Sequence, residues 1–216
     1  PFAGVVMRLG LKFRMEEFAG KIPETGPVVV VANHGFGGSD ALAMMAAMCD
    51  LRRDFRILAN REVMLLDGMA PATFPVTLLN AGETKENTRS LRAMLKHVRQ
   101  GGSLGVFPAG KVAYWQGDRM KDPPWNDHVV KLLQRMDATI IPLWFYGSPP
   151  PLINFLSRLS PFVRTALIPT GLAKMKGQEI VARAGEPVSG KELRAMGDEA
   201  GPWFRRRLES LAELGN

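Results

Sequence analysis

The residues best placed to do chemistry in this 216-residue chain lie in the run Val28-Val29-Val30-Val31-Ala32-Asn33-His34-Gly35-Phe36-Gly37-Gly38-Ser39-Asp40. A buried strand is expected to end at Asn33, a glycine-rich turn to follow, and a helix to begin at Ser39 or Asp40. That order puts His34 at the C-terminal edge of a strand, where open α/β sheets keep their ligand crevices. Asp40 falls in the first helical turn, which favours an anion, and the loop could fold it back against the imidazole. A carboxylate on one ring nitrogen fixes the tautomer and leaves the other nitrogen as proton acceptor, as a general base working on an alcohol requires. The loop glycines let backbone amides approach an oxyanion or a phosphate. Spacing alone fits equally a structural histidine beside a capping Asp.

A second segment, Gly101-Gly102-Ser103-Leu104-Gly105-Val106-Phe107-Pro108-Ala109-Gly110-Lys111, contains G-x-S-x-G. A hydrolase nucleophile needs its serine on a strand-to-helix turn, whereas Ser103 follows a helical pattern and starts a strand. Gly101 and Gly102 read as helix terminators. At the other end of that strand, Phe107-Pro108-Ala109-Gly110 forms a turn at the same sheet edge as His34, and Lys111 can present a cation there. His97 lies on a helical pattern with Leu91, Met94, Leu95 and Val98 and reads as a flanking residue. His128 stands at a helix start capped by Asn126 or Asp127. No pair of histidines and no Cys-His set has metal-ligand spacing, so no metal is expected. The single cysteine, Cys49, excludes a disulfide framework and reads as a small buried hydrophobe in a reducing, cytoplasmic setting. The methionines, several grouped at Met44, Met45 and Met48, read as core filler.

Apolar β-branched runs alternate with helical patterns along the chain, which predicts an α/β layered domain spanning 1–216 with a mixed, largely parallel sheet flanked by helices. Strands are expected at Pro27 to Ala32, Phe55 to Ala59, Phe74 to Leu79, Ser103 to Phe107, Thr139 to Phe145 and Glu179 to Ala184. Helices are expected at Ser39 to Asp50, Thr84 to Gln100, Asn126 to Met136, and from Gly190 through the Arg-rich C-terminal stretch, with Ser39, Thr84 and Asn126 as caps. The Pro149-Pro150-Pro151 stretch, with Leu152, Ile153, Phe155 and Leu156 after it, reads either as core cover or as an acyl- or membrane-facing element. Lys and Arg number 28 against 21 Asp and Glu, a net charge of +7 that favours anionic partners. Nucleic acid is not expected, because the basic clusters come without any zinc, zipper or aromatic RNA-binding pattern. No apolar stretch is long enough to span a bilayer, which leaves a peripheral position on the inner face of the cell membrane open. The sequence opens at Pro1, so a leader or anchor ahead of it also stays open.

These residues resemble the glycerolipid (lysophospholipid) acyltransferases, the PlsC-like family, whose motifs are a His-(four residues)-Asp pair and an F-P-E-G turn. The hemolysin-like or lyso-ornithine-lipid acyltransferase branch, roughly N-H-P-F-G-G-x-D and then F-P-A-G-E-V-S, is more similar still. Asn33-His34, Phe36-Gly37-Gly38, Asp40 and Phe107-Pro108-Ala109-Gly110 match it, as do Ile141-Pro142-Leu143, Asp122 before Trp125, and Gly185-Glu186-Pro187-Val188. The similarity runs over about 26–188. It implies the glycerolipid acyltransferase fold and transfer of a fatty-acyl group from acyl carrier protein or coenzyme A to a hydroxyl of a lyso-lipid, with no permanently bound cofactor. His34 would be the base and Asp40 its orienting carboxylate. Asn33, Phe36, Gly37, Gly38, Phe107, Pro108, Ala109, Gly110 and Lys111 would bind substrate. The chain departs from the pattern at Gly35 for Pro, Ala109 for the F-P-E-G carboxylate, Lys111 for the following Glu and Ala113 for Ser. The alternative these departures raise is a catalytically silent module that binds lipid or acyl carrier protein.

Overall fold

Four consecutive valines and an alanine have one stable use in water, a strand covered on both faces. They form the second strand of the fold, β2 (Val28–Ala32), buried along its whole length. Each buried valine contributes about 1.5–3 kcal/mol of burial free energy. A computed structural model describes residues 12–35, 38–65, 68–77, 85–116, 119–147 and 179–215. Phe36, Gly37, Thr84 and the proline-rich stretch with Leu152 to Leu156 lie outside the described residues.

Around β2 stand β1 (Lys12–Glu16), β3 (Arg56–Asn60), β4 (Thr73–Val76), β5 (Ser103–Val106), β8 (Thr139–Tyr146), β9 (Glu179–Ala184) and β10 (Val188–Ser189). They make an eight-stranded sheet of order β1-β9-β8-β2-β5-β3-β4, with β10 paired to β8. The β1–β9, β2–β5, β2–β8, β3–β4 and β3–β5 pairs are parallel, and β9 and β10 each run antiparallel to β8. The sheet is therefore mixed and largely parallel, as the sequence predicts. A separate hairpin pairs β6 (Tyr114–Gln116) with β7 (Arg119–Lys121).

The helices are α1 (Gly38–Leu51), α2 (Lys85–Arg99), α3 (Asp127–Arg135), α4 (Gly190–Ala195) and α5 (Ala200–Ser210). Val28, Val30 and Ala32 face the core on the α1 side, whereas Val29 and Val31 face the core built with Met94, Val98, Leu133 and Phe204 from α2, α3 and α5. This alternation follows from the period of two along a strand. The connection leaving β2 thus packs on one face and the connection leaving β5 on the other. Adjacent strands with oppositely directed connections define the switch point where open α/β sheets bind ligands.

Several expectations shift. Ser39 is a buried residue inside α1 rather than its cap, because the helix already includes Gly38. The C-terminal helix breaks in two at Gly197, whose φ of +58° no L side chain favours. Asn126 caps α3 by accepting the His128 N–H. Gly101, at φ +91°, terminates α2. Gly102 lies so close to the His97 ring that a Cβ there would come within 2.4 Å of it, which makes His97 a packing element at the helix–strand junction.

Candidate active site

β2 ends in Asn33, 5% exposed, whose side chain extends the sheet ladder by one step. Its amide donates to the Phe145 carbonyl at 3.0 Å and its oxygen accepts the Phe145 N–H at 2.7 Å. The Asn33 side chain thereby ties the end of β2 to β8 and fixes where the next residue stands. That residue, His34, has both main-chain groups bound at long range. Its N–H donates to Asp122 Oδ1 at 3.1 Å, and its carbonyl accepts the Ala113 N–H at 2.8 Å.

The His34 ring meets Asp40 Oδ2 through Nδ1 at 3.2 Å. Asp40 has no solvent exposure, whereas the His34 side chain keeps 17%. With Nδ1–H donated to the carboxylate, Nε2 carries the lone pair. The Phe107 ring packs beside the imidazole, with centroids 4.3 Å apart and planes tilted by 30°. Phe107 reaches it because β5 is parallel to β2 and both strands end at the same edge. Gly110 closes the turn, donating to the Phe107 carbonyl at 3.0 Å from a φ of +61°. The Pro108 carbonyl accepts the Asn126 N–H at 3.1 Å, which anchors the turn to the start of α3. Pro108 and Ala109 are buried and Lys111 is exposed at the end of the turn; Gly38 is the first residue of α1.

The sequence reading thus places His34, Asp40 and the Phe107–Gly110 turn at one edge, and the structure brings them together there. It missed the contact of Asp122 with His34. Burial pushes the Asp122 carboxyl up to about 6; the Asp40 charge adds to this, while the His34 amide, the His34 charge and Arg205 oppose it. The only foresight available in the sequence was the likeness of Asp122 and Trp125 to a later family block. Among the described residues, no group of three or more His, Cys, Asp or Glu could hold a metal ion.

The two candidate nucleophiles lie elsewhere. Ser103 is fully buried at the start of β5, where its hydroxyl donates to Asp54 at 3.0 Å, at the sheet edge opposite His34. Cys49 sits in the last turn of α1, and burial pushes its thiol up.

A parallel-rich sheet with a histidine–aspartate pair at its switch point defines a class of α/β enzyme, and comparison with known proteins specifies it. A family model described as Acyltransferase matches residues 16–146, more than half of the chain. The lyso-glycine lipid O-acyltransferase of Phocaeicola vulgatus is 28% identical over 128 residues, which is 58% of this chain and 44% of that protein. The 1-acyl-sn-glycerophosphate (LPA) acyltransferase PlsC from Thermotoga maritima superposes with a TM-score of 0.62 at 16% identity, over 99% of this chain and 76% of that one. The chain belongs to the acyltransferase family, with the PlsC-like glycerolipid acyltransferase fold. Its match covers less than half the length of the curated relative.

Proposed function

We propose that the protein is an O-acyltransferase that moves a fatty-acyl group from an acyl thioester to a hydroxyl of a lyso-lipid, with His34 as general base and Asp40 as its orienting carboxylate. The observation that carries this reading is the 3.2 Å contact of His34 Nδ1 with a fully buried Asp40 at the sheet's switch point. In the forward step the acceptor O–H gives its proton to Nε2, and its oxygen attacks the thioester carbonyl. The tetrahedral intermediate then expels the thiolate, which takes the proton from the imidazolium, leaving an ester and a free thiol. No covalent acyl-enzyme enters this sequence, consistent with Ser103 lying at the opposite edge and the Cys49 thiol being raised rather than activated. The printed name of the Phocaeicola relative supports a lyso-lipid hydroxyl as acceptor.

A row of cations supports an anionic donor. Lys85, Arg89, Arg92, Lys96 and Arg99 recur at intervals of three and four along α2, and all are exposed. Lys85, Thr88, Arg89 and Arg92 line an open groove of about 330 Å³. Because α2 connects the parallel strands β4 and β5, its first turn lies at the same sheet edge as His34. α2 exposes no large apolar side chain, which suits an acidic carrier protein better than a lipid face. We place the enzyme on the cytoplasmic side, working at a membrane surface where its lyso-lipid acceptor resides; among the described residues no helix is long and apolar enough to cross that membrane.

The test is to supply purified protein with acyl carrier protein or coenzyme A thioesters and a lyso-lipid, following thiol release and acceptor acylation by mass spectrometry. Acceptor-dependent release of thiol supports the reading. Saturable binding of donor without turnover would establish the silent module that Ala109 favours.

A further inference from the structure

Asp122 is a half-buried acid that the acyl-transfer step above leaves without a role. It stands 88 residues from His34, yet its carboxylate accepts the His34 main-chain N–H at 3.1 Å. Its own main-chain carbonyl accepts Arg205 Nη2 at 3.2 Å, and Arg205 is braced on α5 by Glu209 at 2.8 Å. The base is therefore gripped twice, at its ring by Asp40 and at its backbone by Asp122. Any neutral carbonyl could satisfy one backbone N–H, and burying a carboxylate costs far more than burying an amide. What the acid adds is charge beside an imidazole that must become cationic during the step. Preorganised charge aimed at a developing ion is among the larger contributions to catalysis.

We infer that Asp122 is a positioning residue of acyl transfer, holding the His34 main chain in place and, as an anion, stabilising the imidazolium formed when the acceptor's proton reaches Nε2. The inference rests on the acyl-transfer reading. Among the described residues, His34, Asp40 and Arg205 are charged or titratable groups that act on the Asp122 carboxyl. The step needs Asp122 ionised and His34 neutral, so two separate protonations silence the enzyme on the acid side. Burial brings the protonation of Asp122 to about pH 6, within reach of an assay.

The test measures kcat and KM from acid to neutral pH for the wild type, Asp122→Asn and Asp122→Ala, with circular dichroism at each pH to count folded protein. In the wild type the acid limb of log kcat/KM should steepen beyond a one-proton slope. Asp122→Asn keeps the acceptor oxygen but loses the charge. It should lower kcat by about 10²-fold, the worth of one unit charge several ångströms away at protein-like dielectric, with KM nearly unchanged and a one-proton limb. Asp122→Ala, lacking the acceptor as well, should fall further. Wild-type kcat and slope in a folded Asp122→Asn overturn the inference alone, whereas absence of any wild-type turnover removes it together with the acyl-transfer reading.

Discussion

The two ends of the central parallel strands carry acids in opposite electrostatic settings. At the N-terminal edge Arg52, 5% exposed, forms a two-pronged pair with Asp54 and donates to the carbonyls of Pro23, Gly26 and Gly101. Ser103 adds a donor to the same carboxylate. Burial works against ionisation of Asp54, but the bonds from Arg52 and Ser103 and the guanidinium charge outweigh it, holding the carboxyl below its ordinary range. At the C-terminal edge Asp122 and Asp40 stand around one imidazole, and there burial prevails and raises Asp122. The closed network ties β2, β3 and β5 together where they begin. An anion beside an imidazole is where a transient cation gains most, so on the proposed mechanism stability and chemistry divide between opposite ends of one sheet.

Removing the guanidinium from the closed network breaks this comparison most severely. Arg52→Met leaves three carbonyls without their donor, while water takes over at the 39% exposed Asp54, and should cost about 2–3 kcal/mol, with kcat per folded molecule unchanged. Urea denaturation with parallel thiol-release assays checks both halves. A drop in kcat at full occupancy of the fold would mean that the two edges are coupled.

Asp122→Asn should act in the opposite sense on stability. The folded carboxyl titrates at about 6 against an ordinary 3.8, so its ionised form burdens the fold. That cost is fully present above about pH 6, shrinks as pH falls from there, and vanishes below the ordinary value. Relieving it should stabilise the variant at neutral pH by up to about 3 kcal/mol, with the gain fading on acidification. Asp54 has the reverse sign: its contribution is present above the ordinary carboxylate value and is lost as pH falls through its depressed one. Melting curves of the wild type and both variants across the acid range read the two trends separately.

The smallest effect belongs to the surface. Reversing two charges with Arg89→Glu and Arg92→Glu should raise KM for the acyl carrier protein donor about tenfold at low salt and less at high salt, leaving kcat alone. Equal KM values at both salt concentrations would detach α2 from donor recognition.

The alternation of strands and helices was legible because β2, β5 and β8 are covered on both faces and are built almost wholly of apolar residues. His34, Asp40 and the Phe107–Gly110 turn were legible because each lies within a few residues of a strand end. β1 escaped because Lys12-Phe13-Arg14-Met15-Glu16 is an edge strand, charged on its open side and joined to β9 by ion pairs rather than by an apolar run. The β6–β7 hairpin escaped because its strands have three residues each, too few to show a period. Asp122 was named only for its likeness to a family block. Its bond to His34 depends on the hairpin and the Asn126 anchor placing it beside β2, which no local spacing encodes.

The proposed acyl transfer depends most directly on the ring of His34. Single-turnover mixing of enzyme, acyl thioester and lyso-lipid should show thiol and ester appearing together in the wild type. In folded His34→Gln both should slow by about 10³-fold, with donor binding retained. Wild-type rates in that variant, or a burst of thiol preceding the ester in the native enzyme, would contradict the mechanism.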